Sequence, residues 1–184
     1  DGRGDLACEL AVLLESRGGA DGPVDMRRRV EALRRGRTPE TARLKEEAER
    51  RMREAGIAVR AEAGRTPLDA CGELLAAAFP DRVALRRPGA VGKYTLVNGR
   101  GAELPEGDPL ARETFLVAAD LDGAGASSRI RAAAPVSEEA VRRQFAGQLR
   151  TEDDVYWDEA AMRVLARRRT VLGALVLSET PLPS

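Results

Sequence analysis

Basic side chains are concentrated in one short stretch of the chain, residues 82–102. This stretch contains five basic residues and no acidic one, and Tyr94 lies among them. The basic residues are Arg82, Arg86, Arg87, Lys93 and Arg100. Guanidinium and ammonium groups bind phosphates and an aromatic ring stacks on a base, so the pattern is typical of a surface that contacts single-stranded nucleic acid. Alternatively, the intervening apolar residues form a core and the arginines only solubilise the surface.

The sequence NGRG at 98–101 predicts a tight turn that presents Arg100 to solvent. Asn-Gly supplies the positive φ that two-residue hairpin turns require. The motif alone is weak evidence for binding, because a phosphate loop needs GxxxxGK[ST] and this chain contains none. A GxGxxG motif that opens a helix is also absent from the sequence. We therefore expect no nucleotide cofactor in this chain.

Acidic residues dominate the next stretch, residues 103–126, where six acids accompany one arginine. A barrel built from these two stretches would have one basic and one acidic edge. The acidic edge, together with a hairpin that carries Trp157, suggests a second class of function, a protein-interaction module without nucleic-acid contact. We interpret Trp157, the single tryptophan, as an anchor of the hairpin core rather than a stacking platform.

Composition excludes several kinds of chemistry. The chain of 184 residues has no histidine, which excludes Ser-His-Asp and Cys-His catalysis and most zinc sites. Thirty basic residues balance thirty acidic ones, so any polyanion-binding surface must be local. Cys8 and Cys71 lack metal-site spacing and are expected to be reduced in a cytoplasmic protein. No apolar run reaches the roughly 18 residues of a membrane span, so we expect no membrane partner.

The pattern along the chain predicts an α+β fold. Apolar residues at helical spacing predict helices at 5–16, 24–36, 38–56 and 67–79, the first with Asp5 placed to cap it. After Pro80, short β-rich runs predict strands at 82–87, 93–98, 101–104, 114–121 and 129–134. Five such strands suit a small Greek-key barrel, either OB-like or SH3-like. Ser137 then caps a further helix.

The tail of the chain carries acids followed by arginines. Residues 154–158 and 162–169 predict a hairpin across EAA, and the final apolar stretch is interpreted as a strand. The arginines are Arg163, Arg167, Arg168 and Arg169. They form either a second phosphate-facing patch or cross-strand ion pairs with the acids of the hairpin, and the ion pairs are slightly favoured.

Five segments resemble the C-terminal part of bacterial DEAH-box ATP-dependent helicases of the HrpB type, in the same order and spacing. They read LLAAAFPDRVALRR, YTLVNGRGAELPEGDPL, FLVAADLDG, RIRAAAP and VYWDEAAMRVLARRRTVLGALVLSETPLP. The resemblance covers residues 74–183 closely and residues 5–60 more loosely. It implies an N-terminal helical bundle, a small OB-like antiparallel β-barrel, and a C-terminal helix plus β-hairpin.

The resemblance also implies which domain each part of the chain belongs to and where ATP would bind. Residues 1–75 would be the end of a helicase bundle domain, 76–135 an OB-fold-like barrel and 136–184 the start of a family-specific C-terminal region. The phosphate loop and the DEAH box are absent from this sequence, so ATP and Mg would bind to upstream motor domains of a longer parent protein. We therefore expect a non-catalytic fragment that guides single-stranded RNA or DNA along Arg82, Arg86, Arg87, Lys93, Tyr94 and Arg100. Its partners would be the nucleic acid and the motor domains.

Overall fold

The computed structural model of the chain describes residues 2–16, 22–123, 127–159 and 162–182. Within these ranges the helices are α1 (Gly4–Glu15), α2 (Met26–Arg35), α3 (Pro39–Glu54), α4 (Cys71–Ala78) and α5 (Glu138–Gln144). The strands are β1 (Val83–Arg86), β2 (Lys93–Leu96), β3 (Gly101–Glu103), β4 (Phe115–Asp122), β5 (Ser127–Pro135), β6 (Arg150–Asp158), β7 (Arg163–Leu172) and β8 (Leu175–Pro181). The predicted EAA turn falls mostly outside the described residues. No helix in the described ranges has the length and apolar content that a membrane crossing requires.

The helix boundaries follow from capping residues. The carboxylate of Asp25 accepts a hydrogen bond from the backbone N–H of Arg27 and starts α2, which ends at Gly36 with a left-handed φ of 58°. Ser137 caps α5 in the same way, through the backbone N–H of Ala140 (3.1 Å). Each cap satisfies a donor that the first helical turn leaves without a partner.

Asp5 does not cap α1, so that expectation is wrong. The helix begins at Gly4, and the side chain of Asp5 lies in its first turn and is buried. Its carboxylate instead accepts hydrogen bonds from the backbone N–H (2.8 Å) and the hydroxyl of Thr66. Asp5 therefore ties α1 to the segment that precedes α4.

The five predicted strands between residues 82 and 135 all form, and they close into a barrel with the order β1-β2-β3-β5-β4. The pairs are antiparallel except for β3 and β5, which run parallel and place Gly101 opposite Ser127. β4 closes the barrel by pairing with β1, with Val83 opposite Val117. The fold class, α+β with a small OB-like barrel, is thus confirmed.

Two hydrophobic cores lie on either side of the barrel wall. The interior core contains Tyr94, Leu96, Leu116 and Ile130, whose side chains point into the barrel. The outer core joins the helices to the outward-facing barrel residues and extends to Leu172 in the C-terminal sheet. The proposed division at residues 75/76 and 135/136 stays a prediction, and the outer core is continuous across both positions.

Hydrogen bonds from the backbone and from the side chain of Arg29 connect α2 and the residues before it to β5. The backbone N–H of Ala133 donates to the carbonyl of Val24 (2.9 Å), just before α2. Within the helix, Arg29 donates to the carbonyls of Pro23 (2.6 Å) and Arg131 (2.8 Å). The buried guanidinium thus uses its planar fork to bridge the helix and the sheet.

The C-terminal strands form a three-stranded antiparallel sheet in the order β6-β7-β8. The final apolar stretch completes β7 and forms β8, so a third strand joins the predicted hairpin. Leu172 and Leu175, at the β7–β8 turn, are buried in the outer core. Next to them, the backbone N–H of Ala174 donates to the carbonyl of Val97 (2.9 Å). The base of the sheet therefore packs on the barrel, whereas its far half is mostly exposed.

Candidate nucleic-acid interface

The NGRG segment forms the predicted turn between β2 and β3. Gly99 has a φ of 85°, which glycine adopts without steric cost. The side-chain oxygen of Asn98 accepts a hydrogen bond from the backbone N–H of Arg100 (3.0 Å), and the N–H of Gly99 donates to the carbonyl of Leu96 (2.8 Å). These bonds fix the turn from within.

The side chain of Arg100 is exposed, and β5 holds it in place. Its Nη2 donates to Oγ of Ser128 (3.1 Å), which in turn donates to the carbonyl of Gly123 (3.0 Å). A hydroxyl partner orients the guanidinium but leaves its positive charge uncompensated. Sequence reasoning missed Ser128, because only the parallel pairing of β3 and β5 brings it beside the turn.

Strand register separates the predicted basic residues into two groups. Arg82 and Arg100 lie at the first end of the barrel, where β1 and β3 begin and β2 ends. Arg86, Arg87 and Lys93 lie at the second end, where β1 ends and β2 begins. The register places Arg86 opposite Tyr94, and Nε of Arg87 donates to Oγ1 of Thr95 (3.2 Å).

Side chains alternate between the two sides of β2. Tyr94 and Leu96 point into the barrel, so Lys93 and Thr95 lie on its outer side. The contact with Thr95 brings Arg87 to the same outer side. Arg100 lies opposite Leu96 at the other end of β2, and its side chain bonds to the buried Ser128, so it marks the end of the strand and does not share the outer side with Lys93 and Thr95. We call Arg87, Lys93, Thr95 and Arg100 the β2 surface.

Arg82 has a structural contact that sets it apart from the β2 surface. Its Nη1 donates to the carbonyl of Ala119 (2.8 Å), and its guanidinium lies over the ring of Phe79, 5.0 Å from the centroid. Ala119 is the residue that the β4–β5 register skips. A bulge interrupts the regular ladder of a sheet, and Arg82 binds a carbonyl at this bulge.

Tyr94 is a core residue, and the prediction that it stacks on a base is wrong. Its side chain is fully buried, and its hydroxyl donates to the carbonyls of Leu110 (2.7 Å) and Glu113 (3.0 Å). Burial raises the pKa of the phenol to about 12. The period of the strand decides its orientation, because Tyr94 alternates with the outward-facing Lys93 and Thr95.

The predicted basic residues keep their charge uncompensated. Among the described acidic residues, none forms an ion pair with Arg82, Arg86, Arg87, Lys93 or Arg100. Glu103 on β3 lies directly opposite Lys93. The β2 surface thus combines three basic side chains with an acid on the neighbouring strand.

Three of the four predicted arginines of β7, Arg167, Arg168 and Arg169, form cross-strand ion pairs, as the favoured interpretation predicted. Arg168 pairs with Asp153 through two short contacts (2.7 and 2.8 Å). Arg167 joins Asp154 (2.8 Å) to Glu179 (3.0 Å), and Arg169 also contacts Asp154. These three arginines are therefore engaged within the sheet.

Trp157 is not a core anchor, so that interpretation is wrong. Its side chain is 55% exposed on β6, opposite Val164, which is 60% exposed. Val155, two residues earlier on the same face, is 67% exposed. The hairpin has no second layer over this face among the described residues, so its apolar side chains remain in solvent.

The described residues contain no cluster of three acidic or cysteine side chains that could hold a metal ion. Cys71, the first residue of α4, is buried, and burial raises the pKa of its thiol to about 12. A thiol becomes a nucleophile only as the thiolate, so Cys71 is inert at neutral pH.

Comparisons with known proteins agree with this architecture. The family model described as "ATP-dependent RNA helicase HrpB, connector region" matches residues 148–182, which is the C-terminal sheet. The ATP-dependent RNA helicase HrpB of Escherichia coli (strain K12) is 39% identical over 111 residues, which cover 59% of this chain. Two solved structures of the E. coli protein also align with this chain.

One is described as the DExH-box NTPase HrpB, with a TM-score of 0.75 and 27% identity. The other is described as the DEAH/RHA helicase HrpB, with a TM-score of 0.71 and 26% identity. Each alignment covers 96% of this chain. The chain is HrpB-like in sequence and in fold.

The resemblance to the HrpB type is thus confirmed, and the comparisons are consistent with a C-terminal segment. The chain covers only 14% of the curated HrpB sequence and 20% and 21% of the two solved chains. The alignments with the HrpB structures extend over helices, barrel and sheet together, because they cover nearly all of the chain.

Proposed function

We propose that the chain is a non-catalytic segment of an HrpB-like ATP-dependent helicase that guides single-stranded RNA or DNA along the β2 surface. The similarity to HrpB supports the assignment to a helicase. In this proposal the helices are the end of the bundle domain, the barrel is an OB-fold, and motor domains elsewhere in the longer protein bind ATP and Mg.

The observation that carries the proposal is the arrangement of Arg87, Lys93 and Arg100. Arg87 and Lys93 lie at one end of β2 and Arg100 at the other, none of them in an ion pair with a described acid. In small barrels of this class, the face of the second and third strands and the loop before them bind oligonucleotides. Arg86, opposite the inward-pointing Tyr94, and Arg82, held by Ala119, lie off the β2 surface and contribute only to the local potential.

Salt dependence tests the proposal, because phosphate contacts release counterions from the nucleic acid. Three contacts to a single strand predict a slope of log K against log salt of about −2. Affinity would then fall about 16-fold between roughly 50 and 200 mM salt. The measurement is the fluorescence anisotropy of a labelled single-stranded oligonucleotide titrated with the chain.

Charge reversals at Arg87, Lys93 and Arg100, made singly, should each weaken binding and reduce the magnitude of the slope by about 0.7. The matched control is Arg43→Glu, an equal charge change at an exposed position on α3. If Arg43→Glu weakens binding as much as the three reversals, only net charge matters and the β2 surface is not the site. An absence of binding at low salt would contradict the proposal.

A second candidate is a scaffold that docks the motor domains of the same longer protein without contacting nucleic acid. The match of the C-terminal sheet to the connector region favours it. It predicts that the reversals leave oligonucleotide binding by the longer protein unchanged. Assaying the same variants in that protein separates the two candidates.

A further inference from the structure

We propose that β6 is the docking edge for an extended, basic segment of a separate partner protein, which adds a fourth strand to the C-terminal sheet. In a strand addition, main-chain hydrogen bonds supply affinity and alternate side chains supply specificity. Three features of β6 carry this inference: its open edge, the exposed apolar residues on one face, and the signs of the charges across the sheet. It is independent of nucleic-acid binding by the barrel.

The outer edge of β6 carries charged side chains, but no proline or bulge blocks the addition of a strand. β6 pairs with β7 over nine consecutive residues, from Arg150 opposite Val171 to Asp158 opposite Arg163, without a register shift. Its sequence, RTEDDVYWD, contains no Pro, Gly or Lys. No described strand pairs with its other side. A long and regular edge of this kind is a template for another strand.

The opposite edge of the sheet provides an internal comparison. β8 pairs with β7 through a register shift at Thr170/Val171, and it ends at Pro181. A bulge twists an edge away from a partner, and proline removes a backbone donor. One edge of the sheet is thus blocked and the other is open.

One face of β6 offers apolar side chains to an added strand. Val155 and Trp157 lie on this face, and both are more than half exposed. Indole rings bury a large area and are frequent anchors of interfaces. Apolar residues at alternate positions of the incoming strand would cover Val155 and Trp157.

The other face requires basic residues, because ionic charges alternate from strand to strand across the sheet. Glu179 on β8 contacts Arg167 on β7, which contacts Asp154 on β6. The next strand in this row is the incoming one, and Lys or Arg there continues the alternation. Glu152, on the same face of β6 as Asp154, forms no ion pair with a described basic residue.

The charges also disfavour a second copy of this chain in the register centred on Asp154. Antiparallel pairing of two β6 strands centred on Asp154 would place that carboxylate against its own copy, with Asp153 next to it in both strands. Like charges directly opposite each other destabilise a sheet. In this register the edge favours a basic strand over a second copy of itself.

The test uses a synthetic peptide, acetyl-RVRVRVR-amide, titrated into the chain while the emission of Trp157 is recorded. Trp157 is the single tryptophan, so a blue shift of its emission reports coverage of this face directly. A peptide of the same composition with its valines contiguous should give no shift. The alternating peptide with N-methylated backbone amides should bind at least about tenfold more weakly, because it lacks main-chain donors.

Two variants and a control locate the interaction, with a labelled peptide followed by anisotropy. Trp157→Ser should weaken binding by about tenfold or more. Glu152→Lys should weaken it severalfold through like-charge repulsion. Val176→Ser, the same kind of change at an exposed apolar position on β8, should leave affinity unchanged. The inference is overturned if the emission does not shift at saturating peptide, or if the contiguous peptide binds equally well.

A further outcome that would overturn the inference is a shift of the Trp157 emission with a single-stranded oligonucleotide and not with the peptide. That result would make this face a nucleic-acid surface.

Discussion

A buried cluster of charges, Glu9, Arg34 and Arg65, should dominate the response of the helices to mutation. The side chain of Glu9 is fully buried and those of the two arginines are 6% exposed. Both Nε and Nη2 of Arg34 donate to the Glu9 carboxylate (2.9–3.1 Å), and Nη1 of Arg65 donates to it from the other side (2.8 Å). Arg34 also donates to the carbonyl of Thr66 (2.9 Å).

Glu9→Gln keeps the shape of the side chain but removes its charge. Arg34 would then lie in a low-dielectric site without its carboxylate partner, and Arg65 would keep only its longer contact with Glu49 (3.4 Å). Loss of one partner from a buried pair costs about 3–5 kcal/mol. That is a large part of the about 5–15 kcal/mol by which domains are stable. With a urea m-value of about 2 kcal/mol/M, the unfolding midpoint should fall by about 1.5–2.5 M.

The assay is urea unfolding followed by far-UV circular dichroism, with Glu15→Gln as the matched control. Glu15 pairs with Arg51, but its side chain is 63% exposed, and exposed pairs contribute about 0–1 kcal/mol. The reasoning is refuted if Glu9→Gln costs no more than Glu15→Gln. If Glu9→Gln does not fold, the triple change Glu9→Met, Arg34→Met, Arg65→Met decides. It should fold, because replacing a complete buried cluster by apolar residues is close to neutral.

Two further predictions concern packing and pH. Gly72→Ala on α4 should destabilise the chain by about 2 kcal/mol, because a Cβ there would lie 2.0 Å from the carbonyl oxygen of Pro135; Gly147→Ala, whose Cβ would meet nothing within 4 Å, should not. The unfolding midpoint in urea measures both, and equal midpoints would contradict the close approach of α4 to β5. For Asp5, burial alone would raise the pKa, but the hydrogen bonds from Thr66 outweigh it and the net pKa lies below 3.8. A carboxylate whose pKa is lower in the folded than in the unfolded state stabilises the fold while it is ionised, and this stabilisation is lost as the pH falls through the folded pKa. The free energy of unfolding should therefore fall more for the wild type than for Asp5→Asn between about pH 5 and 3. Parallel curves for the two proteins would assign the acid sensitivity to other carboxylates.

Local signals in the sequence were sufficient to predict the helices, strands and turns of this fold. The turn at Asn98-Gly99, the helix cap at Ser137 and the five barrel strands depend on neighbouring residues, and the structure confirms each. The ion pairs of the tail also followed from local order, because a hairpin aligns acids and arginines that are near in sequence.

Long-range placement could not be predicted in the same way. The sequence pattern predicted that Tyr94 stacks on a base, but the barrel closes around the side chain and its hydroxyl contacts two backbone carbonyls. The sequence predicted that Trp157 is buried in the core of the hairpin, yet no described residues form a layer over its face of the sheet. The Glu9 cluster joins residues 25 and 56 positions apart, and no local pattern encodes such contacts. Tertiary packing decided all three.

The C-terminal sheet is attached at its base, through the outer core and the backbone of Val97, and this makes the sheet a lever. The backbone of Val97 is bonded on one side to Val83, at the start of β1, and on the other to Ala174, at the β7–β8 turn. From that turn β7 extends for ten residues, which at the usual rise of a strand is a span of about 30 Å. A rotation of about 10° at the turn would therefore carry Trp157 through roughly 5 Å. A small rotation at the β7–β8 turn, close to Arg100, would therefore displace Trp157 far enough to make or break its contacts.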